Sequence, residues 1–411
     1  MSELAQRRML AWLRTPEAVR GRCQALLALA EQDALPHFTF DPARLDDAAD
    51  YVAAVIRENY PDLAIPYHSR WRHFEAGGID RWEALAGSLG GCDATELTRR
   101  RIDLCTVSVL LDAGAGPVWK YREPETGLVL TRSEGLAVAS LYAFFSGLFS
   151  GDPKQPFRAD ADGLSRLSDA ALAAAFQVSP ENPLAGAGGR AALLRSLGAA
   201  LRDRSGQAGA EARIGGLLDL WRSRAANGVL AARELLTTIL ETLAPIWPGR
   251  LSLGGENLGD VWYHPMLGGA GSGASLVPLH KLSQWLSYSM VEVLEQASIL
   301  VGGLDGLTGL AEYRNGGLFV DLGVLKLRDP LLAAAPLPVD HLAIVEWRAL
   351  TVALLDRVAP LVRARLGLTA AELPLVRLLQ GGTWDAGRRI ARERRADGAP
   401  PLVVLSDGTV F

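Results

Sequence analysis

The reading of this chain turns on the stretch from Pro278 to Asp321, PLHKLSQWLSYSMVEVLEQASILVGGLDGLTGLAEYRNGGLFVD. Its first half is a helix-like run that carries His280, Lys281 and Gln284 and is almost uncharged from Lys281 until Glu292. His280 and Gln284 are four residues apart, Lys281 and Gln284 three, so on a helix they share a side with Ser287, Tyr288 and Val291. A glycine-rich turn follows. AEYRNGG then sets an acid (Glu312), a base (Arg314) and an amide (Asn315) beside Tyr313, inside apolar sequence that ends in GLFVD. Unlike polar groups gathered in apolar surroundings suit a small-molecule site, where partial burial tunes carboxylates. A solvated helix face is the plainer alternative for residues 280–288. Asp321 costs free energy after GLFV unless it is bonded or functional.

Bulk properties narrow the class. The chain has 411 residues, 49% of them apolar and 21% charged, enough for a substantial core in one large domain or two to three ordinary ones. The formal charge is -4 and no basic stripe occurs, so binding of nucleic acid by bulk electrostatics is not expected. Cys23, Cys92 and Cys105 are spaced too irregularly for a zinc knuckle or a disulfide framework and fit a reducing, cytoplasmic compartment. The start, MSELAQRRML, lacks an apolar signal core, and no uncharged apolar run of membrane-spanning length appears.

Working outward, the pattern is helical with a few strands and no βαβ rhythm. Thr15-Pro16-Glu17 reads as a helix start with proline at N1, and a second helix is expected over about 43–59. IPYHSRWRHFEAGG (65–78) crowds His68, Arg70, Trp71, Arg72 and His73 together. It suits either a recognition loop or a surface loop packed by cation–π contacts. No cysteine or carboxylate completes a metal set with His68 and His73, so no metal is expected. A helix over 93–113 carries Asp103 and Asp112. VWKYREPETGLVLT (118–131) reads as a hairpin, and helix resumes at RSEGLAVAS. RDRSGQAGAE (202–211) reads as an exposed turn. In the loop 249–277, Trp262, Tyr263 and His264 either line a pocket or plug a core edge.

A strong helix is expected over about 340–363, with Asp340 as its cap and Ile344, Trp347, Leu350, Leu354 and Val358 as a stripe beside Glu346. Residues 373–395 read as helical, and VVLSDGTVF as a terminal hairpin or edge strand turning at Asp407-Gly408. The expected whole is one large unit, 1–411, with an N-terminal subregion 1–150, a core 214–395 and the site between them. No GxSxG elbow, strand-borne GxGxxG or GxxxxGK[ST] loop is present. GLFVDLGV is only a faint echo of a phosphoribosyltransferase strand.

IPYHSRWRHFEAGG, SVLLDAGAGPVWKY (108–121), RSEGLAVAS (132–140), PLHKLSQWLSYSM (278–290) and AEYRNGGLFVDLGVL (311–325) resemble a family of bacterial and fungal proteins. That family is tied to the uracil-catabolism pathway that opens the pyrimidine ring and yields urea. The resemblance covers nearly the whole chain, and members are often labelled uracil phosphoribosyltransferase. The C-terminal half is also similar to the queuosine-salvage nucleoside hydrolase family. Leu279–Gln284 resembles its F-x-K-x-x-Q helix, Ala311–Arg314 its A-D-Y-R motif, Gly323–Leu325 its G-V-L string, and Glu346–Ala349 its E-I-R-A helix start. Glu312 departs from that family's aspartate, and the rest of its base-recognition set has no clear match.

These resemblances imply a helical fold with a core like helix-hairpin-helix DNA glycosylases. They also imply a cofactor-free N-ribohydrolase that cuts the C1′–N bond of a ribosylurea, expected as its 5′-phosphate. Under that reading Glu312 faces the anomeric carbon or its water, with Asp321 in reserve. Lys281, Arg314 and Arg348 hold phosphate or fix the acids, and Glu346 orients Arg348 or binds ribose. Gln284, Tyr313 and Asn315 bond urea or ribose, while His68, Arg70, His73 and Trp119 complete the pocket. A uracil phosphoribosyltransferase or pyrimidine nucleosidase and a non-catalytic scaffold are the rivals; DNA repair is disfavoured by charge.

Overall fold

Helices begin where the sequence supplies caps. The Thr15 hydroxyl accepts the Ala18 N–H at 3.2 Å and Pro16 opens the Pro16–Glu31 helix. Asp93 accepts the Glu96 N–H at 2.8 Å and starts Ala94–Leu110. A short 3-10 turn, Pro42–Arg44, precedes Leu45–Asn59. The expected hairpin pairs Lys120–Arg122 with Val129–Thr131 and runs directly into the Arg132–Phe145 helix. These elements come from a computed structural model that describes residues 2–203, 212–269 and 271–405. The chain is mainly α, with short two-stranded ladders.

The chain divides into two compact units. The first comprises Met1–His68, Leu251–Gln284 and Gly303–Leu405; the second comprises Ser69–Arg250 and Trp285–Gly302. This path does not follow the 1–150 and 214–395 subregions expected from sequence.

The first unit is built on the Leu342–Leu366 helix, which packs against Pro16–Glu31, Leu45–Asn59 and Tyr313–Asp321. With neighbours on several sides it needs more than one apolar stripe. Val345, Ala349, Val352, Leu355 and Val362 are buried as fully as the expected Ile344, Trp347, Leu350, Leu354 and Val358. Its cap is His341, whose Nδ1 accepts the Ala343 N–H at 3.2 Å, and not Asp340. Strand Phe38–Phe40 pairs antiparallel with Leu325–Leu327, and Val261–Tyr263 with Leu276–Pro278. Val404–Leu405 pairs parallel with Leu337–Pro338; the expected turn at Asp407-Gly408 lies outside the described residues.

In the second unit, Ala94–Leu110, Arg132–Phe145 and the short Arg70–Phe74 helix pack together. Ala187–Asp203 packs beside Ala94–Leu110 and ends at the start of the expected 202–211 turn, most of which is outside the described residues. Val229–Ala231 pairs parallel with Leu300–Gly302.

GLFVD is helix, not strand: Tyr313–Asp321 forms a short helix clamped between two others. The glycines of RNGG serve this clamp. A Cβ on Gly316 would lie 2.6 Å from Thr351 Oγ1 and 2.7 Å from Trp347 Nε1, whereas one on Gly317 would meet only Pro401, 3.1 Å away. From the opposite side, a Cβ on Gly387 would lie 2.1 Å from the Arg314 carbonyl oxygen. Overpacking such a contact costs about 1–3 kcal/mol. Gly316→Ala is therefore expected to lower unfolding free energy in urea by that amount, and Gly317→Ala by clearly less. Equal losses would show that helix propensity, not the close approach, governs both positions.

Candidate functional site

Asp260 organises the polar interior of the first unit. It follows Gly259, whose φ of 68° makes the turn into strand Val261–Tyr263. The Asp260 carbonyl accepts the N–H groups of Leu279 (2.9 Å) and His280 (3.2 Å). Its carboxylate accepts the Lys281 N–H at 2.9 Å, Trp262 Nε1–H at 2.6 Å, and both Nη groups of Arg348 at 2.7 and 2.9 Å. Burial pushes such a carboxyl up, but the guanidinium and the N–H donors outweigh it and hold Asp260 down at about 2. Arg348 Nε donates to the Ala311 carbonyl at 3.3 Å.

The Lys281–Gln296 helix thus starts on Asp260. His280 is not on that helix face. It precedes the first turn at φ 47°, a conformation L residues rarely adopt, and its Nε2 meets the Leu13 carbonyl at 2.9 Å. Burial lowers its basicity.

Glu312 caps the Tyr313–Asp321 helix, accepting the Asn315 N–H at 2.9 Å through Oε1. It is 8% exposed. Burial raises its pKa; the charge of Lys281, the Asn315 N–H and the Arg314 charge oppose the rise without cancelling it. An acid of raised pKa beside a buried ammonium is thereby placed at a helix N-terminus, one residue after the carbonyl that Arg348 holds.

Most of the other residues proposed from sequence make hydrogen bonds or ion pairs within the fold. The Gln284 amide pairs with Thr308, accepting its N–H at 3.1 Å and donating to its hydroxyl. Asn315 accepts from Thr383 Oγ1 at 2.9 Å and donates to the Leu310 carbonyl. Arg314 donates to the Gly398 carbonyl at 3.0 Å and lies over the Tyr313 ring. Asp321, the reserve catalytic acid, is held in a two-pronged pair with Arg395 at 2.8 and 2.6 Å. Glu346 has two histidine partners. It is wholly buried and accepts from His37 Nδ1 at 2.8 Å and His264 Nε2 at 3.3 Å. His68 meets Gln380 at 2.9 Å and tilts against Trp384. Gln380 belongs to a single π-helical turn, Leu379–Thr383, that also supplies Thr383 to Asn315.

Arg70, His73 and Trp119 belong to the second unit. Trp119 is a core residue there, stacked on Phe176 and donating to its carbonyl at 2.9 Å. Asp260 and His37 escaped the sequence reading, and His264 was singled out there only as lining a pocket or plugging a core edge. The usable signal for Asp260 was Arg348 itself, since a guanidinium within an apolar helix demands a carboxylate from elsewhere. Among the described residues no three His, Cys, Asp or Glu side chains are grouped to hold a metal ion, and no helix is long and apolar enough to cross a membrane.

The family model described as "Protein of unknown function (DUF1688)" matches residues 12–411. The chain belongs to this family. It is 41% identical over 409 residues to "Protein urg3" of Schizosaccharomyces pombe, covering 98% of this chain and 99% of that protein. It is 40% identical over 407 residues to "Uracil catabolism protein 4" of Lachancea kluyveri, covering 91% of this chain and 92% of that protein.

Removing one partner of a buried ion pair costs about 3–5 kcal/mol. Asp260→Asn is expected to destabilise the protein by that order in urea at neutral pH. The depressed carboxyl contributes stability that is complete above its unfolded pKa of about 4 and is lost as pH falls through about 2. The gap between wild type and variant should therefore narrow as pH is lowered from about 5 towards 2. A gap independent of pH across that window would refute the pairing.

Proposed function

We propose that this member of the family acts in uracil catabolism as an N-glycosidic hydrolase. Its substrate is a ribosylurea, expected as the 5′-phosphate, and its products are urea and the ribose phosphate. Two relatives aligned along nearly their whole length support the pathway, one of them named for uracil catabolism. The observation that supports the chemistry is Glu312, a buried carboxyl raised by burial and neighboured by Lys281. Such a group suits a reaction in which positive charge develops at C1′ as the C1′–N bond breaks. Glu312 stabilises that charge and takes a proton from the attacking water. The water oxygen joins C1′, and the leaving nitrogen ends protonated in urea.

Lys281 favours the ionised form of Glu312. Arg348 acts at one remove, by holding Asp260 and the Ala311 carbonyl, because its donors are engaged there. Gln284 and Asn315 frame the acid and its helix and do not read the ligand. The resemblance to nucleoside hydrolases and to a glycosylase-like helical core belongs to the same reading.

Urea release from synthetic ribosylurea 5′-phosphate tests it. Glu312→Gln is expected to lower kcat about 10²–10⁴-fold with the fold retained by circular dichroism. Activity should fall on acidification through a pKa above the ordinary glutamate range. Lys281→Met, which removes the charge opposing the rise, should move that limb to higher pH. Full activity in Glu312→Gln would remove the assigned role. Uracil transfer to phosphoribosyl pyrophosphate, without urea release, would favour a transferase.

A further inference from the structure

The second unit carries its own buried polar cluster. Arg70 is fully buried. Its Nε donates to Ser108 Oγ at 2.6 Å, and its Nη1 donates to the Ser133 carbonyl at 3.1 Å. Nη1 also stands 3.1 Å from Asp112 and 3.2 Å from His73 Nδ1. Nη2 is buried and makes no hydrogen bond. A guanidinium nitrogen withdrawn from water without an acceptor is costly, and the cost is recovered when a ligand supplies one. Trp285 lies beside this arginine, its ring 5.4 Å from the guanidinium carbon and 5.7 Å from the His73 ring. The indole thus forms an aromatic wall beside the guanidinium and the imidazole.

Charge selects the kind of acceptor. The positive charge of Arg70 is already met by Asp112, and Glu134 also acts on it. An added anion would set three negative groups against two cations, Arg70 and the buried Arg190 that also faces Asp112. A neutral carbonyl meets no such opposition, and N–H groups beside it find acceptors in the acids.

We propose that Arg70, with Asp112, His73 and Trp285, forms a binding site for a small planar neutral ligand of the amide or ureide class, whose carbonyl oxygen accepts from Arg70 Nη2. This site does not depend on the chemistry assigned to Glu312. Arg70 and His73 come from the HSRWRH string, Asp112 from SVLLDAG, and Ser133 and Glu134 from RSEG, so the site gives those strings a common purpose.

Calorimetric titration of the full chain tests this with uracil and N-methylurea as ureide probes and acetate and inorganic phosphate as anionic probes. A ureide is expected to bind, and Arg70→Lys, which keeps the charge but loses the fork, should weaken binding by about tenfold or more. Glu312→Gln should still bind the probe, so failure of the hydrolase reading would be distinguishable from failure of this one. Equal binding by wild type and Arg70→Lys, binding of the anions alone, or no ureide binding would each overturn the proposal. If Arg70→Lys does not fold, a ureide-soaked crystal of the wild type decides. A ureide oxygen within hydrogen-bond distance of Nη2 supports the site, and an ordered water there without ureide overturns it.

Discussion

The first unit depends on one ion pair, Asp260 with Arg348. A buried pair of this kind is no large source of net stability, because desolvating both ions consumes most of their attraction. Its consequence is geometric. Asp260 brings together the strand it opens, the first turn of the Lys281–Gln296 helix and the interior of the Leu342–Leu366 helix. Arg348 adds the Ala311 carbonyl and so fixes the residue before Glu312. Four segments far apart in sequence are aligned by two side chains whose hydrogen-bonding partners are largely exhausted by one another. Any alternative packing of the helices would leave a charge buried without its partner, which is how a pair of small net stability can still impose one arrangement.

The helices were legible because their signals are local. Thr15-Pro16, Asp93 and the 118–131 hairpin behave as their residues predict, since a cap or tight turn is decided within four or five residues. The polar groups of 278–321 were legible as unusual but not in their roles. Gln284 meets Thr308, Asn315 meets Thr383, Arg314 meets Gly398 and Asp321 meets Arg395, pairings 24, 68, 84 and 74 residues apart. Spacing along one helix says nothing of such partners. The sequence therefore showed a cluster of acid, base and amide but not the distant partners that several of its members hold. The glycines of RNGG sit inside the Tyr313–Asp321 helix, where Gly316 lets Trp347 and Thr351 approach.

Two buried arginines present opposite solutions to one problem. Arg348 has acceptors for Nε and for both Nη groups, and it is a structural keystone. Arg70 is buried at least as deeply, yet its Nη2 is left without an acceptor. Ser108, the Ser133 carbonyl and Asp112 account for its Nε and Nη1, and a buried Nη2 without an acceptor is a cost that those contacts do not offset directly. Burial identical in degree thus separates into a role that packing explains and one that it does not.

The same test applies to Glu312. Asparagine, aspartate, serine and threonine are the residues that cap helices well, and glutamate is outside that set. At this position a longer acid caps the Tyr313–Asp321 helix with one oxygen while burial works against its charge. A shorter acid or a serine would satisfy the Asn315 N–H at less cost in desolvation. Capping therefore accounts for a polar residue at 312 but not for a glutamate. The adjacent ammonium of Lys281 would be an added burden if the position required only a neutral cap. A carboxylate kept under those conditions, next to a cation that steadies its ionised form, is what the proposed hydrolysis would require and what capping alone does not.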